Sequence, residues 1–204
     1  MKYIRVLVGI AIALIVSVTM VILQPRTVAK EYIQSIEKKR AEIDEFMKYS
    51  GESPLPSEAV ESFTGLYYYP IDPVFRLLGK IERFEEQELI EVPTSAGTAD
   101  PYSRYGLVTF KIDGEEFALE AWKPLDGMVS NRLFVAFTDT TSGGETYGGG
   151  RYLNLYTGRG DSLIVDFNLA HNPYCVYDPT YICPLAPPEN RLSVAINVGE
   201  TNWK

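Results

Sequence analysis

Polar side chains that could do chemistry concentrate in two turn-rich segments, residues 138–152 and 166–192. The first segment, TDTTSGGETYGGGRY, combines five glycines with Glu145, Tyr147 and Arg151. Glycine-rich loops let backbone N–H groups approach an anion, and arginine can bind a carboxylate or phosphate with two parallel hydrogen bonds. The segment is not a P-loop, because it lacks the G-K-[ST] ending and a strand follows it. It predicts either a ligand-binding loop or a long β-connection whose glycines adopt positive φ.

The second segment brings Asp166, Asn168 and Asn172 within seven residues. Alternate residues of an extended chain share a face, so Asp166 and Asn168 should point the same way. Asp166 is a candidate base or metal ligand, and the two asparagines are candidate hydrogen-bond donors. Alternatively, these side chains bond their own backbone and organise turns. The candidate ligand-binding residues are therefore Glu145, Tyr147, Arg151, Asp166, Asn168 and Asn172.

Cys175 and Cys183 are the only cysteines, and His171 is the only histidine. Outside the cytoplasm the two cysteines would form a disulfide, whereas inside it they would be free thiols. A zinc site is a weaker alternative, because one histidine and this cysteine spacing do not make a usual ligand set. A nucleophilic Cys175–His171 pair is disfavoured, since Pro173 interrupts any helix that would align the two. We predict the disulfide, and neither a cofactor nor a metal.

The elements that must position these residues are mostly strands. Asp113-Gly114 separates two alternating runs, which predicts a two-residue hairpin. A second hairpin with a longer loop is predicted between 151–156 and 162–167, and a last strand at 191–198. About seven strands with short turns predict a mainly β (α+β) fold, an antiparallel barrel or sandwich. This single domain, 51–204, follows a linker and amphipathic helix at 24–50.

Residues 6–23 form an uncharged, apolar run after a short tail, residues 1–5. As a helix this run would span roughly 27 Å, close to a hydrocarbon core of about 30 Å, which predicts a transmembrane anchor. A cleaved signal or a buried core helix are the alternatives. A count of the flanking Lys and Arg favours a cytoplasmic domain, but long domains translocate largely regardless of charge. We expect a single-pass membrane protein with an extracytoplasmic domain.

The acidic composition of the chain disfavours some classes of binding partner. The chain has 27 Asp and Glu against 19 Lys and Arg, a formal net charge of −8. This argues against nucleic acid, which needs a basic surface, and against broad docking on anionic lipid. The expected partners are the membrane, through the N-terminal helix, and an unknown small molecule or protein.

Several segments together resemble one bacterial and archaeal family, the domain-of-unknown-function family 1684. The residues that carry the resemblance include FTGLYYYPIDP at 63–73, FVAFTDTTSGGETYGGGRYL at 134–153, DFNLAHNPYCVY at 166–177, CPLAPPENRL at 183–192 and GE at 199–200. The family name carries no activity, so the resemblance implies none. It points to the same two segments as the most characteristic parts, and His171 falls where such sequences typically carry Tyr.

The leading hypothesis is a membrane-anchored, extracytoplasmic small-ligand-binding or accessory domain, with a polar pocket formed by loops 138–152 and 166–192. The alternative is a hydrolase-type enzyme that uses Asp166 or Glu145 as acid/base, which requires a carboxylate of raised pKa in a cleft. A third possibility is an assembly role, with exposed Tyr67, Tyr68 and Tyr69 as the contact surface.

Overall fold

A computed structural model describes residues 27–125 and 131–203. Helix α1 covers residues 27–49 and buries Ile36 and Met47. Most of its charged residues are exposed, whereas Arg40, Asp44 and Lys48 are partly buried. This is the amphipathic helix that the apolar spacing predicts. A short helix, α2, covers Ser57–Val60. Together α1 and α2 lead the chain into the β-sheet.

Seven antiparallel strands form one sheet, which confirms the prediction of a mainly β domain. The strands are β1 Arg76–Arg83, β2 Leu89–Pro93, β3 Ala99–Ile112, β4 Glu115–Pro124, β5 Arg132–Phe137, β6 Arg151–Tyr156 and β7 Ser162–Asp166. Their order is β6-β5-β4-β3-β1-β7, and β2 pairs with the first half of β3. The end strands β6 and β7 contact each other, so the sheet curls into a half-barrel.

The β3–β4 hairpin is confirmed at Asp113-Gly114. Both residues have positive φ, 51° and 86°, as a type I′ turn requires. The second predicted hairpin is wrong, because β6 pairs with β5 and β7 pairs with β1. The strand predicted at 191–198 is also wrong: this stretch contains only an isolated bridge between Arg191 and Thr138 and otherwise runs irregularly.

The main core fills the inside of the half-barrel. It includes Val108, Val135, Phe137, Val165 and Phe167, all at most 1% exposed. The opposite face of β4, β5 and β6 carries a second cluster of mostly aromatic residues, Trp122, Phe134 and Tyr152 among them. A sheet that buries both faces needs a covering layer on each side. On the second face, α1 and the segment after β7 provide it.

The predicted membrane anchor needs correction. Among residues 27–125 and 131–203, no helix is long and apolar enough to cross a membrane. The predicted anchor at 6–23 and the tail 1–5 lie outside the described residues. The structure therefore does not support a transmembrane helix, the membrane as a partner, or a single-pass localisation with an extracytoplasmic domain.

Candidate functional site

Arg151, a predicted anion-binding residue, lies at the centre of a buried polar cluster. Its side chain and that of Asp139 are both fully buried, and Nη2 of Arg151 donates to Oδ2 of Asp139 over 2.8 Å. The same guanidinium donates to the carbonyl oxygens of Ile196, Val198 and Glu200, at 2.8, 2.5 and 3.2 Å. Arg151 therefore holds the C-terminal segment 196–200 onto β6, and its terminal nitrogens are occupied.

Asp166 and Asn168 lie close together, but not as alternate residues of an extended chain. The Asp166 carboxylate caps the 3-10 turn Phe167–Leu169 and accepts a hydrogen bond of 3.1 Å from the Asn168 backbone N–H. Both residues also fasten other elements. Both carboxylate oxygens of Asp166 accept hydrogen bonds from the Tyr32 hydroxyl, at 2.8 and 2.9 Å, which ties α1 to the end of β7. Asn168 exchanges hydrogen bonds of 2.9 and 2.8 Å with the backbone of Asp72. Burial and the adjacent carboxylate raise the pKa of the Tyr32 hydroxyl, so it remains a donor. Asp166 therefore docks α1 on the sheet, and Asn168 holds the turn at Asp72.

Glu145 and Tyr147 lie apart from these residues. Glu145 is exposed and accepts a hydrogen bond of 3.1 Å from the Tyr69 hydroxyl. The Tyr147 ring packs against Gly149 and lies near Cys175. The six candidate residues therefore do not converge on one open space.

Two glycines of segment 138–152 adopt positive φ, Gly143 at 84° and Gly150 at 96°. A Cβ atom at position 150 would lie 2.5 Å from the carbonyl oxygen of Phe137. The loop is thus shaped by backbone geometry, which is the β-connection that the sequence left open.

We expect Gly150→Ala to lower the free energy of unfolding by about 1–3 kcal/mol, because the new methyl group clashes with backbone and the φ is unfavourable for alanine. Urea denaturation followed by circular dichroism measures this loss. Gly158→Ala is the matched control, since nothing lies within 4 Å of a Cβ atom there. Equal stability of the two variants would contradict the prediction.

A cavity of about 760 Å³ lies between α1 and the second face of β5 and β6. Its apolar walls come from α1 and from the segment that follows β7, and the sheet contributes aromatic rings. Lining side chains include Ile43, Phe46, Phe134, Tyr152, Leu169 and Tyr177. Asn168 and Asn172 line this cavity, whereas Glu145, Tyr147, Arg151 and Asp166 do not. Much of the pocket wall therefore comes from α1, the sheet and residues 168–184, and Tyr152 is the one lining residue from 138–152.

Glu200 supplies a buried carboxyl group to this cavity. It is 2% exposed, and it accepts hydrogen bonds from the Tyr177 hydroxyl and the Asn172 backbone N–H, each 2.5 Å long. Burial raises its pKa to about 7, and the two donors only partly offset this effect. The sequence pointed to Glu200 only through the Gly199-Glu200 match to the family.

Two amide oxygens at the cavity wall are left without partners. Oδ1 of Asn154 and Oδ1 of Asn172 are buried and have no hydrogen-bond partner in the part of the chain that the structure describes. The Asn172 side-chain nitrogen is occupied, because it donates to the Thr201 carbonyl over 2.8 Å. Both oxygens are therefore acceptors without a donor, and a molecule in the cavity reaches them once the side chains that cover them shift.

The predicted disulfide is wrong, because Cys175 and Cys183 are free thiols. Sγ of Cys183 instead accepts a hydrogen bond of 3.2 Å from the backbone N–H of Cys175. Burial raises the pKa of the Cys183 thiol to about 12, so it is a poor nucleophile at neutral pH. Nδ1 of His171 lies 3.3 Å from the Leu169 carbonyl oxygen. Burial lowers the pKa of the His171 imidazole.

Comparison with known proteins places the chain in a family without a known activity. No curated protein matches it. The chain is similar to an uncharacterized protein from gene locus rrnAC0354 of Haloarcula marismortui, whose solution NMR structure is known, with 34% sequence identity and a TM-score of 0.67. The similarity covers 85% of this chain and 95% of that one. Residues 61–201 match the family described as "Protein of unknown function (DUF1684)". The chain belongs to this family.

Proposed function

We propose that this domain binds a small organic molecule in the cavity between α1 and the sheet. The observation that carries the proposal is the cavity itself, whose volume of about 760 Å³ lies within the range of roughly 300–1,000 Å³ that small-molecule sites occupy. Its apolar and aromatic walls, with a few polar groups between them, are typical of such sites.

The two unpartnered amide oxygens support the same proposal. A buried acceptor without a hydrogen bond costs about 1–3 kcal/mol. Asn154 lies on β6 and Asn172 on the segment after β7, so the two acceptors come from different parts of the wall. A ligand that carries hydroxyl or amide donors would satisfy both.

This proposal keeps the small-ligand hypothesis but moves the pocket. Residues 168–184 contribute much of the wall, whereas α1 replaces most of segment 138–152. Neither carboxylate of the hydrolase hypothesis lines the cavity, because Asp166 is bound to Tyr32 and Glu145 is exposed. One observation favours acid–base chemistry as a second candidate function: the carboxyl group of Glu200, which lines the cavity, has a pKa of about 7.

The binding proposal is tested with N-phenyl-1-naphthylamine, a neutral dye whose fluorescence rises in apolar sites. We expect saturable binding to the full chain. Ile43→Trp enlarges a cavity-lining side chain of α1 that is 39% exposed, and it should weaken binding by about tenfold or more.

Leu78→Trp is the matched control, since Leu78 is an exposed aliphatic residue outside the cavity lining. This variant should bind the dye as the wild type does. Absence of binding by the wild type, or equal binding by the two variants, would overturn the proposal.

A further inference from the structure

Arg40 on α1 lines the cavity and uses only one edge of its guanidinium. Nη1 donates to the Tyr69 carbonyl over 3.0 Å, and Cζ lies 4.2 Å from the centre of the Tyr68 ring. These two contacts fix the plane of the guanidinium against the wall of the cavity.

The other edge of Arg40 is unused. Nε and Nη2 are buried, and neither has a hydrogen-bond partner among residues 27–125 and 131–203. These two nitrogens form the side-on edge of a guanidinium, which binds a carboxylate through two parallel hydrogen bonds. Burying these donors without a partner costs free energy, and the cost is larger for a charged group than for a neutral one.

Arg104 shows this edge occupied within the same domain. Its Nε donates to Oε1 of Glu120 over 2.8 Å, and its Nη2 donates to Oε2 over 2.6 Å. Arg40 has the same two donors but no carboxylate. Glu200, the buried carboxyl group of the cavity, is bound to Tyr177 and Asn172 instead.

We propose that the cavity takes an organic acid, whose carboxylate binds the Nε–Nη2 edge of Arg40 while its apolar body packs against α1 and the aromatic face of the sheet. This inference rests on the proposed function. Both nitrogens are closed off from solvent, so binding of the carboxylate requires a local rearrangement around Arg40. Once bound, the ion pair lies in a low-dielectric site where charge-assisted hydrogen bonds are strong.

The net charge of the chain also bears on how an anion could bind. A net charge of −8 disfavours anions over most of the surface. Selective binding of an anion would therefore need a local cationic group, and Arg40 supplies one at the cavity wall.

Two dyes that differ by one anionic group test the proposal. 8-Anilinonaphthalene-1-sulfonate has the ring system of N-phenyl-1-naphthylamine plus a sulfonate, which stands in for the carboxylate. We expect the full chain to bind the sulfonate dye more tightly than the neutral dye. Arg40→Met should weaken binding of the sulfonate dye by about 10- to 100-fold and change binding of the neutral dye by less than about twofold.

Controls separate charge from geometry. Arg40→Lys keeps the charge but lacks the two-nitrogen edge, so it should also lose most of the preference for the sulfonate dye. Lys38→Met removes a charge from an exposed position of the same helix, where the side chain is 79% accessible, and should bind both dyes as the wild type does. Octanoate should displace the sulfonate dye from the wild type at lower concentration than octanol, and this difference should vanish in Arg40→Met.

The outcomes distinguish this inference from the proposed function. If the neutral dye does not bind, the cavity proposal fails. If the neutral dye binds but Arg40→Met weakens both dyes equally, or neither, the carboxylate inference is overturned while the cavity proposal stands. The melting temperature of Arg40→Met should stay within about 5 °C of the wild type, since only the bond to Tyr69 and the contact with Tyr68 are lost.

Discussion

Replacing Arg151 by methionine should lower the free energy of unfolding by about 3–5 kcal/mol, the largest effect that we expect from a single substitution. The change leaves the Asp139 carboxylate buried without its cation. It also removes the donors to the carbonyl groups of Ile196, Val198 and Glu200. Buried acceptors that lose their partners retain the full desolvation penalty.

Urea denaturation followed by circular dichroism measures this effect. Arg159→Met is the matched control, because Arg159 is exposed in the loop between β6 and β7, and it should change stability by less than about 0.5 kcal/mol. Arg151→Lys should fall between the two, since a lysine keeps the charge but cannot reach all four acceptors. A loss below about 1 kcal/mol in Arg151→Met would show that the cluster does not hold the C-terminal segment.

Glu200 should make the domain less stable as the pH rises from about 5 to about 8. Its folded pKa of about 7 exceeds the ordinary value of 4.5, so its stabilising contribution is complete below pH 4.5 and is lost as the pH rises through 7. The shift corresponds to at most about 3 kcal/mol. Burial is the main cause of the raised pKa and the charge of Asp44 adds to it, whereas the hydrogen bonds from Tyr177 and Asn172 and the charge of Arg151 oppose it.

Glu200→Gln removes this titration. The free energy of unfolding of the variant, measured relative to that of the wild type, should rise by about 2–3 kcal/mol as the pH increases from 5 to 8. Glu189→Gln, at an exposed position, should show no such difference between the two pH values. Parallel stability curves for Glu200→Gln and the wild type would show that the carboxyl group of Glu200 titrates near its ordinary pKa.

Local chemistry explains which parts of the fold could be predicted. Asp113-Gly114 specifies its hairpin because few other residue pairs tolerate two positive φ values. The sequence does not predict strand β1, because its inward positions include Gly79 and the apolar alternation is hidden among charged neighbours. The stretch 191–198 does alternate, and Leu192, Ile196 and Val198 are buried, but alternation reports burial and not ladder pairing.

The cavity could not be predicted because distant parts of the chain build it. The pairing of Asp166 with Asn168 follows from their local spacing, and the structure shows it. Arg40 and Glu200 belong to no motif, and they reach the same cavity only because α1 docks on the sheet and the C-terminal segment returns to β6. A sequence pattern shows which residues are polar, but it does not show which of them lose their hydrogen-bond partners on folding.

The hydrogen bonds from Arg151 to residues 196–200 also bear on the order in which the chain folds. Strands β3 to β6 pair with near neighbours in the sequence, and Asp139 lies 12 residues from Arg151, so these contacts can form early. The carbonyl acceptors of Arg151 lie 45 to 49 residues downstream. Without residues 196–200, Arg151 lacks three of its four acceptors. Glu200 lies in the same segment and adds the carboxyl group of the cavity, so the Arg151 cluster and the cavity both need residues 196–200 to be complete.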